Sequence, residues 1–283
     1  MIILLLSRAY EFYEKDKKLL NYSTHTLNAY SLQVKLLIKY LGDVDITSIT
    51  YIHLKEYLIQ QEHLKPASLG HRIRFVRSFF RYLHEEDFID KNISSKLKEP
   101  KEGTRIPKSL SIEEVELIRD SCKTLLEKSL VEFFYSTGCR IGEVFGCNVS
   151  DVNWQDRGVR VIGKGDKERE VFFTEKCRIW LKKYLDSRND ACEALFVTER
   201  NPIRRMSIAR IREVVKDIAK NSEVESNVFP HRWRHTTATT MLENGASLDV
   251  IMKTLGHVRP STTLIYAHSS RERRKQEYNK YMR

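Results

Sequence analysis

Residues 231–268 read HRWRHTTATTMLENGASLDVIMKTLGHVRPSTTLIYAH. The middle of this stretch predicts two helices, 235–244 and 248–255, joined by a turn at Asn244-Gly245, because Asn and Gly tolerate the backbone that a tight turn requires. By spacing alone the pair has the outline of a helix-turn-helix. The chemistry sits at its two ends, HRWRH before the helices and LGHVRPSTTLIYAH after them. His231 and His235 lie four apart and could share a metal on a helix. Arg232 and Arg234 stand between them, where a zinc peptidase carries a glutamate base, and cations disfavour a dication. No metal is expected.

Upstream, residues 159–161 (VRV) and 171–173 (VFF) predict two short strands around IGKGDKERE, a loop rich in Gly and charge that suits a hairpin. The loop lacks the G-x-x-x-x-G-K-[ST] frame, so it is no nucleotide phosphate loop. STGCRIGEV follows a predicted helix at 128–135, and further helices are expected at 175–185 and 207–220. This mixed α and β domain begins near Lys108, where Ser111 and Glu114 form a capping box. Residues 92–107, NISSKLKEPKEGTRIP, hold two prolines, a glycine and little periodicity, and read as an interdomain linker. The resulting division is 1–98, a linker at 99–107, and 108–283.

The first 95 residues or so read as helical. Leu27, Tyr30, Val34, Leu37 and Leu41 share a helix face, with Ser23 or Thr24 as N-cap and Gly42 as stop. Leu69, Ile73, Val76, Phe80 and Leu83 repeat the pattern, and Arg72, Arg74, Arg77 and Arg81 are expected on the other face. A basic face opposite an apolar stripe lets a helix rest on a core while touching phosphates. Over the 283 residues, 49 Lys and Arg against 38 Asp and Glu give a net charge of +11, which suits a polyanionic partner. The apolar run at 2–6 is far too short to span a membrane and has no positive segment before it. The five cysteines, Cys122, Cys139, Cys147, Cys177 and Cys192, form no C-x-x-C pair and fit reduced thiols. A cytoplasmic protein is expected.

Read together, these segments answer one chemical problem. Attack on a phosphodiester needs its charge neutralised, a nucleophile activated and the departing oxygen protonated. Arginine grips non-bridging oxygens through a planar fork that never deprotonates. A tyrosine hydroxyl titrates near ~10 and needs a base and a positive field to attack. The set T-G-x-R-x-x-E at 137–143, G-K-G-x-K-E-R at 163–169, H-x-x-R-H at 231–235 and L-G-H-x8-Y ending at Tyr266 resembles the tyrosine recombinase (phage integrase) family, and most closely its short Xer-type branch. The resemblance covers 108–283 well and 1–98 more loosely.

That resemblance implies a mainly α fold with a small β hairpin in the C-terminal domain. It implies an N-terminal four-helix SAM-like core-binding domain and a catalytic domain, forming a C-shaped clamp. Tyr266 would attack the scissile phosphate, leaving a 3′-phosphotyrosyl link and a free 5′-hydroxyl. Arg140 and Arg234 would hold the phosphate. Lys164 would protonate the leaving 5′-oxygen, His231 would act as acid and base for the tyrosine, and His257 would hydrogen-bond the phosphate. Glu143 would orient Arg140, and His235 would buttress locally. Exchanging one phosphate ester for another roughly conserves bond energy, so neither metal nor nucleotide cofactor is expected.

Two positions depart from the family: Trp233, where Leu is frequent, and Cys139, where Leu or Arg is common. Neither change removes a reacting group. After Tyr266 the segment AHSSRERRKQEYNKYMR carries six Lys or Arg against two Glu, and the resemblance implies that it docks on a neighbouring subunit. The expected partners are double-stranded DNA and three further copies, in a tetramer on two duplexes with cyclic tail exchange. The extra N-terminal arm-binding domain of many integrases is not expected here, an expectation that leaves mobile-element resolution or integration, or Xer-type dimer resolution. The two departures tilt toward a mobile element. The competing classes are a type IB topoisomerase-like enzyme and a DNA-binding regulator without chemistry, the latter disfavoured by the intact residue set.

Overall fold

The computed structural model describes residues 3–101, 103, 108–163, 166–256, 278–279 and 282. The chain divides into two compact units, Met1–Thr104 and Arg105–Arg283.

The first unit is built from α1 (Leu6–Leu19), α2 (Thr24–Leu41), a 3-10 turn (Ile46–Ser48), α3 (Tyr51–Ile59) and α4 (Pro66–Glu85). These are the four helices of the expected SAM-like domain. Ser23 caps α2 by accepting the Thr26 N–H at 3.3 Å, and Gly42 ends it at φ 81°. Pro66 opens α4, where its missing N–H costs nothing. The inner face of α4 sets Phe75 and Phe79 against Tyr13 of α1, whose ring lies edge-on 5.3 Å from Phe79 and 5.2 Å from Tyr82. Such tilted aromatic packing adds about 0.5–1.5 kcal/mol per pair beyond burial. The composition shift at residue 92 does not mark the end of this unit. Ser94 and Leu97 are buried and Ile93 packs on the core, because a short apolar pair within a polar stretch still finds the open edge of a small core.

The second unit holds α5 (Ile112–Asp120), α6 (Leu125–Thr137), α7 (Ile141–Gly146), β1 (Val152–Asn153), β2 (Gly158–Ile162), β3 (Glu168–Phe172), α8 (Glu175–Asp186), α9 (Ile208–Asn221), α10 (Pro230–Glu243) and α11 (Leu248–Leu255). The expected capping box is formed: Ser111 Oγ accepts the Glu114 N–H at 3.0 Å, and Glu114 accepts the Ser111 N–H at 2.7 Å. Helix α6 lies at the centre, buried on nearly every side and packed on α8, α9 and α10. The three strands form one antiparallel sheet in the order β1-β2-β3, with Arg160 opposite Glu170 and Val161 opposite Arg169.

Two boundaries differ from expectation in ways that matter for the site. Helix α10 starts at Pro230 rather than residue 235, so HRWRH lies within its first turns. Pro230 occupies a position where its ring presets the helical backbone. Strand β3 starts at Glu168 and takes in Arg169, because a buried carboxylate awaits that arginine. Among the described residues no helix is long and apolar enough to cross a membrane.

Candidate active site

The segment 137–143 is a helix end, a turn and a new helix start. Helix α6 closes at Gly138, whose φ of 60° lies in the left-handed region. A Cβ at Gly138 would sit 2.7 Å from Leu255 Cδ2, so both conformation and space exclude a side chain. Two residues later Arg140 is the N-cap of α7, and its backbone N–H donates to Glu143 Oε2 at 2.7 Å. This places the Arg140 side chain at the mouth of the turn, 40 % exposed, with Nη1 donating to Glu143 Oε1 at 3.0 Å.

Arg234 reaches the same turn from α10. Its side chain is buried, with Nη1 donating to Gly138 O at 2.8 Å and Nη2 to Leu255 O. A third guanidinium arrives from β3. Arg169 forks onto Glu143, with Nη1 to Oε1 at 2.7 Å and Nη2 to Oε2 at 2.9 Å, while its Nε donates to Thr254 O at 3.3 Å.

The carboxyl end of α11 gathers all three. Thr254 O receives Arg169, Leu255 O receives Arg234, and Gly256 O receives Arg140 Nη2 at 3.5 Å. The last carbonyls of a helix have no partners within it and carry the negative end of its dipole, so cations are favoured there. Gly256 turns the chain at φ 64°, and a Cβ there would meet Arg169 Cδ and Nε at 2.9 Å.

Burial pushes the Glu143 carboxyl up, but the hydrogen bonds from Arg169 and from the Arg140 N–H, with both their charges, outweigh it and hold it below the usual carboxylate range. Three guanidinium charges against one carboxylate leave a surplus of two positive charges within this cluster. His231, on the first turn of α10, lies beside it. Partial burial first, and then the charges of Arg234 and Arg140, hold its imidazolium below the ordinary value. The ring is therefore mostly neutral at pH 7 and able to accept a proton.

The structure thus brings Arg140, Glu143, His231 and Arg234 together from segments almost a hundred residues apart. Lys164, His257 and Tyr266 lie outside the described residues. His235 is buried within α10. Trp233 and Cys139 are both fully buried; Trp233 sits edge-on to Tyr135 at 6.1 Å. The two departures from the family are thus core positions that face away from solvent.

Sequence reasoning gave Arg169 no role, although a signal was present. Strand alternation sets residue 169 on the face of buried Val171, and an arginine on an inner face needs a carboxylate.

On α4 of the first unit, Arg74, Arg77 and Arg81 follow one exposed face, with Arg74 paired to Glu99, Arg77 3.9 Å from Glu99 and Arg81 3.8 Å from Glu85. Arg72 does not share that face. Its Nη1 donates to Gln61 Oε1 at 2.6 Å and its charge lies beside Tyr57, because steps of five and nine residues from 72 carry 77 and 81 around to other sides of the helix.

Residues 108–273 match the family model "Phage integrase family", and residues 11–87 match "Phage integrase, N-terminal SAM-like domain". The chain is 32 % identical to a tyrosine recombinase XerC of Natranaerobius thermophilus over 82 % of this chain and 83 % of that one. It is similar to the crystal structure of XerA recombinase, with 26 % identity, a TM-score of 0.56, and coverage of 98 % and 97 % of the two chains. It shares the fold of the Tn1549 transposon integrase in complex with transposon right end DNA, at 18 % identity, a TM-score of 0.80, and coverage of 99 % and 100 %.

Proposed function

The chain belongs to the phage integrase family of tyrosine recombinases, and from that premise we propose that it cuts and rejoins double-stranded DNA at a specific site through a covalent link to Tyr266. The phenolic oxygen of Tyr266 attacks the scissile phosphorus and the bond from phosphorus to the 5′-oxygen breaks. A 3′-phosphotyrosyl ester forms and a 5′-hydroxyl departs. Attack by a 5′-hydroxyl on that ester reverses the exchange. Each step replaces one phosphate ester with another, so no energy-rich cofactor enters the balance.

The observation that carries this reading is the convergence of Arg140 and Arg234 on adjacent carbonyls, Leu255 O and Gly256 O, at the turn leading into residue 257. Two fixed guanidinium groups there suit the charge that builds on a phosphorane, and they need no reorganisation as it develops. Neutral His231 beside them accepts the phenol proton. By its place in the motif, Lys164 protonates the leaving oxygen, and His257 hydrogen-bonds the phosphate. Glu143 fixes Arg140 through the backbone and the side chain.

The domain scheme follows: 1–98 binds DNA with Arg74, Arg77 and Arg81 on phosphates, while Arg72, on another side of α4, bonds to Gln61; 99–107 connects, and 108–283 carries the chemistry. Four strand breaks on two duplexes call for four protomers, exchanging the basic tail after Tyr266. The likeness to proteins named XerC supports an Xer-type recombinase. A mobile-element resolvase or integrase is the second reading, favoured by the likeness in fold to a transposon integrase.

The test is a nicked suicide substrate that lets the 5′ fragment diffuse away. The wild-type chain is expected to be trapped covalently on the 3′ end, and the Tyr266→Phe variant is not. The sequence at the trapped junction, chromosomal or at the end of a mobile element, decides between the two readings. Supercoil relaxation without strand exchange would favour a topoisomerase-like enzyme. Absence of any covalent complex would leave a DNA-binding regulator.

A further inference from the structure

Glu143 is buried and has four donors. Oε1 accepts from Arg169 Nη1 at 2.7 Å and Arg140 Nη1 at 3.0 Å; Oε2 accepts from Arg169 Nη2 at 2.9 Å and the Arg140 N–H at 2.7 Å. A carboxylate offers about four lone-pair directions, so Glu143 is saturated. The division between the two arginines is unequal. Arg169 takes the side-by-side fork, the strongest form of a guanidinium–carboxylate pair. Arg140 is left with one side-chain contact to Glu143, a long one to Gly256 O, and a substantially exposed side chain.

We propose that Arg169 is a positioning residue that occupies the Glu143 fork, so that the Arg140 guanidinium stays turned toward the phosphate. This rests on the recombinase reading above. Without Arg169, a buried carboxylate faces Arg140 alone, and the attraction between them in a poorly screened site closes that pair into a fork. The donors that Arg140 offers an anion are then spent on Glu143. The same arginine also ties the sheet to α11. Its Nε bonds to Thr254 O, and its side chain lies flat on Gly256, where a Cβ would be only 2.9 Å away. Its loss loosens the turn on which Arg140 and Arg234 converge.

The test compares wild type with Arg169→Gln, Arg169→Lys, Glu143→Gln and the double variant Arg169→Gln/Glu143→Gln. Three measurements are made: single-turnover cleavage of the suicide substrate, DNA affinity, and NMR of arginine side-chain N–H groups in the DNA-free chain. Arg169→Gln is expected to slow cleavage by roughly 30-fold, within the ~100-fold that a 1 Å misplacement costs. Its DNA affinity should stay within about twofold, since no phosphate contact is removed. In the DNA-free chain the Arg140 side-chain N–H signals shift and exchange more slowly as the fork closes. Arg169→Lys keeps the charge but not the fork, and recovers part of the rate. The double variant cleaves faster than Arg169→Gln alone, because the carboxylate that captures Arg140 has become an amide.

Wild-type cleavage by Arg169→Gln, or a double variant whose loss equals the product of the two single losses, overturns the proposal. So does a loss of DNA affinity as large as the loss of rate. If Arg169→Gln does not fold, Arg169→Lys carries the test, with slower cleavage at unchanged affinity expected. A wild-type chain that forms no covalent complex counts against the recombinase reading instead, and the Arg140 signals still decide whether Arg169 controls that side chain.

Discussion

In the first unit, Arg77 and Arg81 stand along α4 with 49 % and 64 % of their side chains exposed and acidic partners no closer than 3.8 Å. In the second unit, Arg234 is buried and Arg169 nearly so, and both end on carbonyls or a carboxylate at 2.5–3.3 Å. The residue type is the same and the physics is opposite. An exposed guanidinium is solvated, moves easily and gains little from its pair. A buried one has lost its water, so each donor must be matched, and whatever matches it is fixed in turn. The first arrangement suits a surface that must fit any stretch of phosphate backbone. The second suits a site that must hold one phosphorus atom at one place.

The sharpest way to break this contrast is Arg234→Ala. It strands the carbonyls of Gly138 and Leu255, at about 1–3 kcal/mol for each buried group left unpaired. A loss of roughly 3 kcal/mol is expected in urea denaturation, with cleavage down about 100- to 1000-fold. Stability within 0.5 kcal/mol of wild type would show that the cluster does not support the fold.

The next effect compares two glycines at positive φ, Gly256 in the left-handed helical region (φ 64°, ψ 49°) and Gly42 at φ 81°, ψ 169°. Gly256→Ala must adopt φ 64° and also meet Arg169 at 2.9 Å, whereas Gly42→Ala, at φ 81°, meets only Val44 Cγ1 at 3.6 Å. Gly42 occupies a region almost reserved for glycine, where strain costs about 1–3 kcal/mol, so Gly42→Ala should lower stability by about that much and leave cleavage unchanged. Gly256→Ala should lower stability and also slow cleavage. Wild-type cleavage by Gly256→Ala would mean that Arg169 moves aside freely.

A smaller effect separates the units by pH. The Glu143 carboxyl is held below its ordinary value of 4.5, so the folded chain binds fewer protons there than the unfolded chain. The stability this supplies is complete above pH 4.5 and is lost as pH falls through the lower folded value. Glu143→Gln should flatten the acid limb of a stability–pH curve, and an unchanged slope would count against a charged Glu143. The smallest effect belongs to the surface. Arg77→Ala and Arg81→Ala should each change stability by less than about 0.5 kcal/mol. If α4 touches phosphates, each lowers the salt dependence of DNA binding by about one unit of slope.

Much of this was legible in the chain itself, for local reasons. The cap at Ser23, the stop at Gly42 and the capping box of Ser111 and Glu114 are short-range, and each is present. Helix α11 spans the expected residues 248–255, since its apolar period and its closing glycine lie within one segment. Boundaries shifted where a distant partner intervened. Strand β3 reached back to Arg169 to meet Glu143, and residues 93–97 joined a core that their polar neighbours gave no sign of. Arg72 is expected on one face with Arg74, Arg77 and Arg81, and helical rotation separates it from them.

Sequence by itself supplied the candidate reacting groups and determined the helical character of the first unit and the hairpin of the second, because side-chain chemistry, caps and periodicity act over a few residues. Tertiary structure decided which arginine would be buried and which left facing solvent. It joined a helix N-cap, a strand and a helix at the carbonyls of Thr254, Leu255 and Gly256. That outcome depends on burial and on the unfilled acceptors of a helix end, and both exist only once the chain has closed on itself.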